Sequence, residues 1–238
     1  MKIYDIFTDA SVDKSLRGAC PGAIAVDRSN GGVIMESYMI QPEGTNNSGE
    51  IAAIWLGVQH AKKLLRFPKP FGEEVQINLF SDSLISVKGM RDWLFKWMDL
   101  RRGNILYKGD GTAVLNQNFH KLIFNDIIFN DIKIRFFHVR GHMTQNSMAM
   151  MIETFNKENE IPISIVGDPE YIRRFNDSID KSTRATLVKY NEGKPLAPNT
   201  TEDRIYNNRS EFVIVSDPHM VDKYRWLIGK TRIRPDII

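Results

Sequence analysis

Apolar and polar positions alternate through residues 2–9 around Ile3, Asp5, Phe7 and Asp9, and this period of two predicts a strand. Residues 18–27 and 33–41 are two further apolar stretches, separated by the turn signal Ser29-Asn30-Gly31-Gly32. Together they read as a three-stranded antiparallel meander. The period then changes. From Ser48, taken as the N-cap, the apolar positions Ile51, Ile54, Trp55, Val58 and Leu65 follow helical spacing until Pro68, Pro70 and Gly72 end the helix. Val75 to Phe80 is the next strand, ending at Ser81-Asp82. A strand reached through a helix points to parallel pairing by a right-handed crossover.

Residues 84–98 predict a second helix with Trp93 and Trp97 one turn apart, followed by a glycine-rich basic connection through Gly103, Lys108, Gly109 and Gly111. A third helix is expected from Asn116 to about Phe129, and a fifth strand from Ile132 to Val139, closing at Arg140-Gly141-His142. The sum is an α/β unit with a mixed five-stranded sheet, three meander strands plus two parallel strands, flanked by helices. Beyond His142 the pattern weakens. Residues 143–162 are methionine-rich and partly helical, Ile163 to Val166 reads as a short extra strand, and 170–190 is helical again. Pro195, Pro198 and Asn199-Thr200-Thr201 suggest a linker before a terminal segment with one β-like run, Glu211 to Ser216.

A chain of 238 residues has room for one full domain and an appendage, or for two small domains. Its 42% hydrophobic and 26% charged residues are ordinary for a water-soluble protein, and no apolar run is long enough to cross a bilayer. The start, MKIYDIFTDAS, lacks the apolar core and cleavage site of a signal peptide. One cysteine, Cys20, excludes an internal disulfide and a cysteine-based zinc site, which suits a reducing, cytoplasmic setting. A net charge of +3 is compatible with nucleic acid without arguing for it. No membrane and no obligate protein partner is called for.

The chemistry lies in the carboxylates. Asp9 ends the first strand, Glu50 lies in the first turn of the helix after the meander, and Asp82 ends the strand after that helix. In a mixed sheet those strand ends can be neighbours, with the helix start above them. A lone Asp after a strand is commonly a turn residue, and a Glu near a helix start commonly serves the helix dipole. Their joint placement carries the weight. Clustered carboxylates repel, so they call for a cation, and oxygen-only ligands suit Mg²⁺ or Mn²⁺. Two such ions about 4 Å apart are the recurring device for in-line displacement at phosphorus.

The motifs around these acids resemble the ribonuclease H family in its bacterial type 1 form. Ile6-Phe7-Thr8-Asp9-Ala10-Ser11 is similar to the family's first strand, with Ala10 in place of the more usual glycine. Thr45-Asn46-Asn47-Ser48-Gly49-Glu50 resembles its loop and helix start, and Phe80-Ser81-Asp82-Ser83 its third acidic motif. Trp93, Trp97, Tyr107 and Val114-Leu115-Asn116-Gln117-Asn118 resemble the bacterial handle, and Phe137-His138-Val139-Arg140-Gly141-His142 the last strand and the histidine after it. The likeness runs through residues 2–142 and then breaks. About ten residues past His142 the chain offers only Glu153, in a segment that otherwise fits poorly. Asn176-Asp177-Ser178-Ile179-Asp180, with Arg184 and Ala185, restores the family's spacing. Residues 143–175 are therefore read as an insertion, with Asp180 preferred to Glu153 as fourth carboxylate and Asp177 a weaker rival. The domain reading is a ribonuclease H-like catalytic unit over 1–190 and a C-terminal extension over 191–238.

The resemblance implies endonucleolytic hydrolysis of the RNA strand of an RNA–DNA hybrid, giving 5′-phosphate and 3′-hydroxyl ends. It implies two Mg²⁺ ions, with Mn²⁺ as a substitute, bridged by Asp9. Asp180 would hold the ion that activates water, and Glu50 and Asp82 the ion beside the leaving oxygen. His142 would assist proton transfer or product departure. Asn46 and Asn47 suit sugar and base edges, and Thr45 a backbone phosphate. Six basic residues between Lys88 and Asp110, namely Lys88, Arg91, Lys96, Arg101, Arg102 and Lys108, with Trp93 and Trp97 interleaved, resemble a basic, aromatic surface for the duplex, in which at least one tryptophan is expected to be core. The run 223–235, with Lys223, Arg225, Lys230, Arg232 and Arg234 beside Tyr224 and Trp226, is either an auxiliary contact or a tail docked on its own domain. Two other readings stay open. A DNA exonuclease, resolvase or integrase of the wider group would keep the fold, although Ser11 stands where exonucleases place a glutamate. A non-catalytic binding module would have little need of Asp9, Glu50 and Asp82.

Overall fold

A computed structural model describes residues 1–13, 18–68, 72–141, 147–202 and 218–229. Three strands, β1 (Lys2–Asp13), β2 (Gly18–Asp27) and β3 (Gly32–Ile40), form the expected meander. The helix α1 (Asn46–Leu64) then crosses to β4 (Val75–Ser81), which pairs in parallel with β1. Next come α2 (Leu84–Lys88), a π-helical turn at Gly89–Trp93 and α3 (Leu94–Asp99). The helix α4 (Gln117–Phe129) leads into β5 (Ile134–His138), parallel to β4. The rest comprises α5 (Met148–Asn159), α6 (Ile163–Val166), α7 (Pro169–Asn191), β6 (Thr200–Glu202) and α8 (Pro218–Leu227).

Among the described residues the sheet order is β5-β4-β1-β2-β3-β6, six strands where the hydrophobic pattern predicts five. The sixth is only three residues long and follows two prolines, so it has no alternation to read. It is held by parallel pairing to β3, by the Tyr38 N–H donating to Asn199 O at 3.0 Å, and by Asn199 Nδ2 donating to Glu36 O at 3.1 Å. The predicted extra strand at Ile163 to Val166 is instead one helical turn. Ile163 and Val166 stand three residues apart, so a turn of helix sends both into the core, and Asn156 Oδ1 accepts from the Ile163 N–H at 2.7 Å. Packing overrides their β propensity. The β-like run Glu211 to Ser216 lies outside the described residues.

Two cores sandwich the sheet. On one face α1, α4 and α8 pack around Ile6, Ile54, Ile77 and Phe124. On the other, rings stack across the strands in register: Phe7 on Phe80 at 4.9 Å, Phe80 on Phe137 at 5.4 Å, and Phe137 on Phe155 of α5 at 5.7 Å. Met151, Phe155, Ile163, Val166, Ile172 and Phe175 are all buried there, so most of the segment read as an insertion covers the sheet's second face. Beneath it Asp5, wholly buried, is met by Arg28 from Nε at 2.7 Å and Nη2 at 2.5 Å and by Asn78 Nδ2 at 3.0 Å. Arg28 Nη1 also donates to the carbonyl of Val166, tying α6 to the sheet.

The C-terminal segment docks on the first core. Tyr224 is fully buried against Phe95 and Phe124, and its hydroxyl donates to Met90 O at 3.0 Å, inside the π-helical turn. Lys223 pairs with Asp131, and the Arg225 guanidinium lies over the Phe95 ring. Thus the described part of the basic run is docked on the chain itself, while Lys230, Arg232 and Arg234 lie outside the described residues. Among the described residues no helix is long and apolar enough to cross a membrane. Two stability outcomes follow. Replacing Tyr224 with Phe removes a buried hydrogen bond and should cost about 0.5–1.5 kcal/mol in denaturant unfolding. Phe155→Ala should cost about 3–5 kcal/mol if α5 belongs to the core.

Candidate active site

Strand register builds the site. Phe7 faces Phe80 and Thr8 faces Ser81 across the parallel pair, so Asp9 and Asp82, each the next residue, emerge side by side at the same end of the sheet. Thr8 Oγ1 donates to Phe80 O at 3.1 Å, locking that alignment. Glu50 descends from α1. Its helix begins three residues earlier than expected: Thr45 is the N-cap, and Ser48, predicted as the cap, is its capping-box partner at N3. The Thr45 hydroxyl accepts from the Ser48 N–H at 3.2 Å, and Ser48 Oγ accepts from the Thr45 N–H at 2.8 Å. Glu50 is therefore one turn inside α1, not in its first turn, and no acid occupies that first turn. The helix can come this close because Gly49 abuts Ala10 and Ala19, leaving no room for a side chain.

One oxygen from each of Asp9, Glu50 and Asp82 lies within 4.8 Å of the others. Asp9 and Glu50 are each only 5% exposed. Burial, then the charges of Asp82 and Asp180, push the Asp9 carboxyl up to about 8. Burial, then Asp82 and Asp9, likewise hold Glu50 well above the ordinary carboxylate range. Among the described residues, the buried Glu50 Oε2 meets no hydrogen-bond partner. An all-oxygen cluster with an unsatisfied buried oxygen fits a hard divalent cation. Gly141 closes one side, since a Cβ there would overlap Asp82 Oδ2.

The opposite wall is α7. Asp180 lines the same cleft of about 520 Å³ as Asp9, Glu50 and Asp82, together with Asn46, Ser83 and Arg184. The helix is seated by Ser11 Oγ 3.0 Å from Thr183 Oγ1, and by Asn191 Nδ2 donating to Asp13 Oδ2 at 3.1 Å. Gly22 lets it approach, because a Cβ would come within 2.6 Å of Thr183 Cγ2. The two rivals sit elsewhere. Glu153 is exposed on α5 and does not line the cleft, while Asp177 is held by Arg173 Nη1 at 2.7 Å.

Of the residues expected to touch substrate, Asn46 lines the cleft, whereas Thr45 and Asn47 do not. Trp97 is core, edge-on to His120, and Trp93 is half-buried 6.0 Å from it. Lys96 and Arg102 are exposed, Arg102 lying over the Tyr107 ring, and Arg101 Nη1 donates back to Met98 O at 3.2 Å. Lys88 and Arg91, counted by sequence in the basic surface, turn instead to Glu158 and Asn159 of α5. His142 lies outside the described residues. Two residues went unassigned by sequence reasoning. His138 Nε2 lies 3.2 Å from the carbonyl of Asp82, and Asn159 bonds both backbone groups of His138. His138 sits inside a matching motif, but no local signal marks Asn159.

A mixed sheet with carboxylates gathered at the end of its central parallel pair defines a class of metal-dependent phosphodiester hydrolases. The family model of RNase H matches residues 1–161, and the chain belongs to that family. The match ends before Asp180. No curated protein matches the sequence. Among solved structures the chain is similar to LC9-RNase H1, a type 1 RNase H with the type 2 active-site motif: 15% identity over 67% of this chain and 72% of that one, TM-score 0.45. LC11-RNase H1, solved in complex with an RNA/DNA hybrid, shares 18% identity over 66% of this chain and 96% of its own, TM-score 0.42. RNase H1 from the halophilic archaeon Halobacterium salinarum NRC-1 shares 14% over 64% and 93%, TM-score 0.38.

The raised Asp9 carboxyl makes a pH prediction for metal-free protein. A carboxyl whose folded pKa lies above its unfolded value binds more protons when folded, so stability falls as pH rises from about 4 to about 8. Asp9→Asn should therefore stabilise the metal-free protein at pH 8 by at least about 1.4 kcal/mol, the worth of a tenfold change in acid dissociation. The gain should vanish near pH 4. Unfolding midpoints across this range, with a chelator present, check it.

Proposed function

We propose that this chain is an endonuclease that hydrolyses the RNA strand of RNA–DNA hybrids, with Asp9, Glu50, Asp82 and Asp180 holding two divalent ions, Mg²⁺ or in its place Mn²⁺. One observation carries the reading: three carboxylates from separate elements have oxygens within 4.8 Å of one another, around a buried Glu50 oxygen that no group among the described residues satisfies. The presence of Asp180 on the facing wall supports it as the fourth. Bound there, the ions would neutralise the cluster and supply Lewis acidity at the scissile phosphate.

The chain's own residues do the positioning. Asp9 and Asp82, fixed at adjacent strand ends, hold their charges at a set spacing that a flexible loop would not maintain. Asn46 brings a donor and an acceptor to the cleft edge, the pair needed to recognise a 2′-hydroxyl. Arg184, one turn after Asp180, offers a cation on the same wall for a backbone phosphate. Lys96, Arg102 and half-buried Trp93 form the outer contact to the duplex, with His142 assisting proton transfer at the leaving side. Water attacking in line leaves a 5′-phosphate and a 3′-hydroxyl. The single buried Cys20 suits a reducing, cytoplasmic setting.

Cleavage of a labelled RNA–DNA hybrid, beside matched RNA and DNA duplexes, tests the reading. Only the hybrid should be cut, with dependence on Mg²⁺ or Mn²⁺. Asp82→Asn and Asp180→Asn should each lower the rate by more than about 100-fold, beyond the range of outer-shell losses, while Glu153→Gln leaves it unchanged. Full activity in Asp180→Asn with loss in Glu153→Gln would reverse the assignment of the fourth carboxylate. Cutting of duplex DNA alone would replace the substrate.

A further inference from the structure

The last residue of α5, Asn159, spends its whole amide on the structure around Asp82. Its Nδ2 donates to His138 O at 2.8 Å and to Phe155 O at 2.9 Å. Its Oδ1 accepts from the His138 N–H at 2.8 Å and from Arg91 Nη1 at 3.1 Å. His138 ends β5, the outermost strand of the sheet. One side chain thus gives that edge the donor and acceptor that a neighbouring strand would otherwise provide.

The next link is the His138 ring. It is 8% exposed, and its Nε2 lies 3.2 Å from Asp82 O; with a carbonyl as partner, the ring nitrogen is the donor. Asp82 is the first residue beyond β4, past the last paired position of the parallel ladder. The imidazole therefore holds a carbonyl just outside the strand pairing, at the residue pressed against two other carboxylates. On its far side Asn159 reaches the π-helical turn through Arg91, whose Nη2 also donates to Glu158 O at 2.9 Å. That turn leads directly into α3, with Trp97.

We infer that α5 buttresses the acidic centre, with Asn159 and His138 as positioning residues that fix the backbone of Asp82 and tie it to the π-helical turn that ends in Trp93 and leads into α3. The inference rests on the reading of Asp82 as a metal ligand. Asp82 shares a crowded acidic space with Asp9 and Glu50, and the hydrogen bond to its carbonyl fixes the backbone from which its carboxylate projects into that space. Groups one step behind a ligand set metal affinity in this way. The segment that breaks the sequence resemblance is on this view a working part of the site.

Mn²⁺ titration calorimetry on the full chain, paired with hybrid cleavage over a Mg²⁺ series, tests the inference in His138→Phe, His138→Gln, Asn159→Asp and Asp82→Asn, with thermal unfolding as the folding check. His138→Phe keeps a ring but removes the donor. It should weaken Mn²⁺ binding about tenfold and raise the Mg²⁺ needed for half-maximal cleavage by a similar factor. Asn159→Asp, which cannot donate to His138 O, should do the same. His138→Gln keeps an N–H at the same reach and should bind Mn²⁺ like the wild type, a rescue that a merely structural ring would not show. Wild-type Mn²⁺ affinity in folded His138→Phe overturns the inference, and that variant decides alone if Asn159→Asp does not fold. Wild-type affinity in Asp82→Asn as well would mean that the metal-site reading itself has failed.

Discussion

The parallel register between β1 and β4 is the constraint on which the rest depends. Pairing Phe7 with Phe80 forces Asp9 and Asp82 to leave the sheet together, and α1 lowers Glu50 onto them. Three carboxylates so close and so little hydrated oppose one another. A protein that holds them together must do so with rigid elements, and the architecture can be understood as the means of meeting that demand.

Both faces of the sheet contribute. The stacked rings of Phe7, Phe80, Phe137 and Phe155 continue across three strands into α5, directly behind the acidic end. On the same face α7 is seated closely enough to carry Asp180 to the cleft, with Gly22 making room and the contacts of Ser11 and Asn191 fixing its place. On the opposite face Tyr224 of α8 reaches Met90 in the π-helical turn, joining the C-terminal segment to the helix that presents Trp93. Segments distant in sequence thus converge on the two things the chemistry requires: fixed carboxylates and a fixed surface beside them.

Much of this was legible. Alternation marked the first strand and apolar runs bounded by turn signals marked the others, and Asp9 and Asp82 stood out because each follows an apolar strand. Errors fell where local signals compete. Thr45 and Ser48 are both good caps, and their reciprocal hydrogen bonds make them partners, so choosing Ser48 shifted the start of α1 by one turn. Ile163 to Val166 looks like a strand to any local rule, yet a helical turn buries its two outer residues at once. Lys88 and Arg91 read as nucleic-acid contacts because charge along a sequence does not say which way a side chain points.

The sequence by itself determined the sheet's strands, the crossover helix and three of the carboxylates, because periodicity and short motifs are local and survive without a partner in view. Only the tertiary structure decided that Asp180 shares a cleft with Asp9 while Glu153 does not, and that residues 147–175 form one face of the core. It alone joined Asn159 to Asp82 through His138. Those relations span separations at which no repeat or spacing carries information. They are set by which apolar surfaces must be covered, and the polar groups that meet there meet as a consequence.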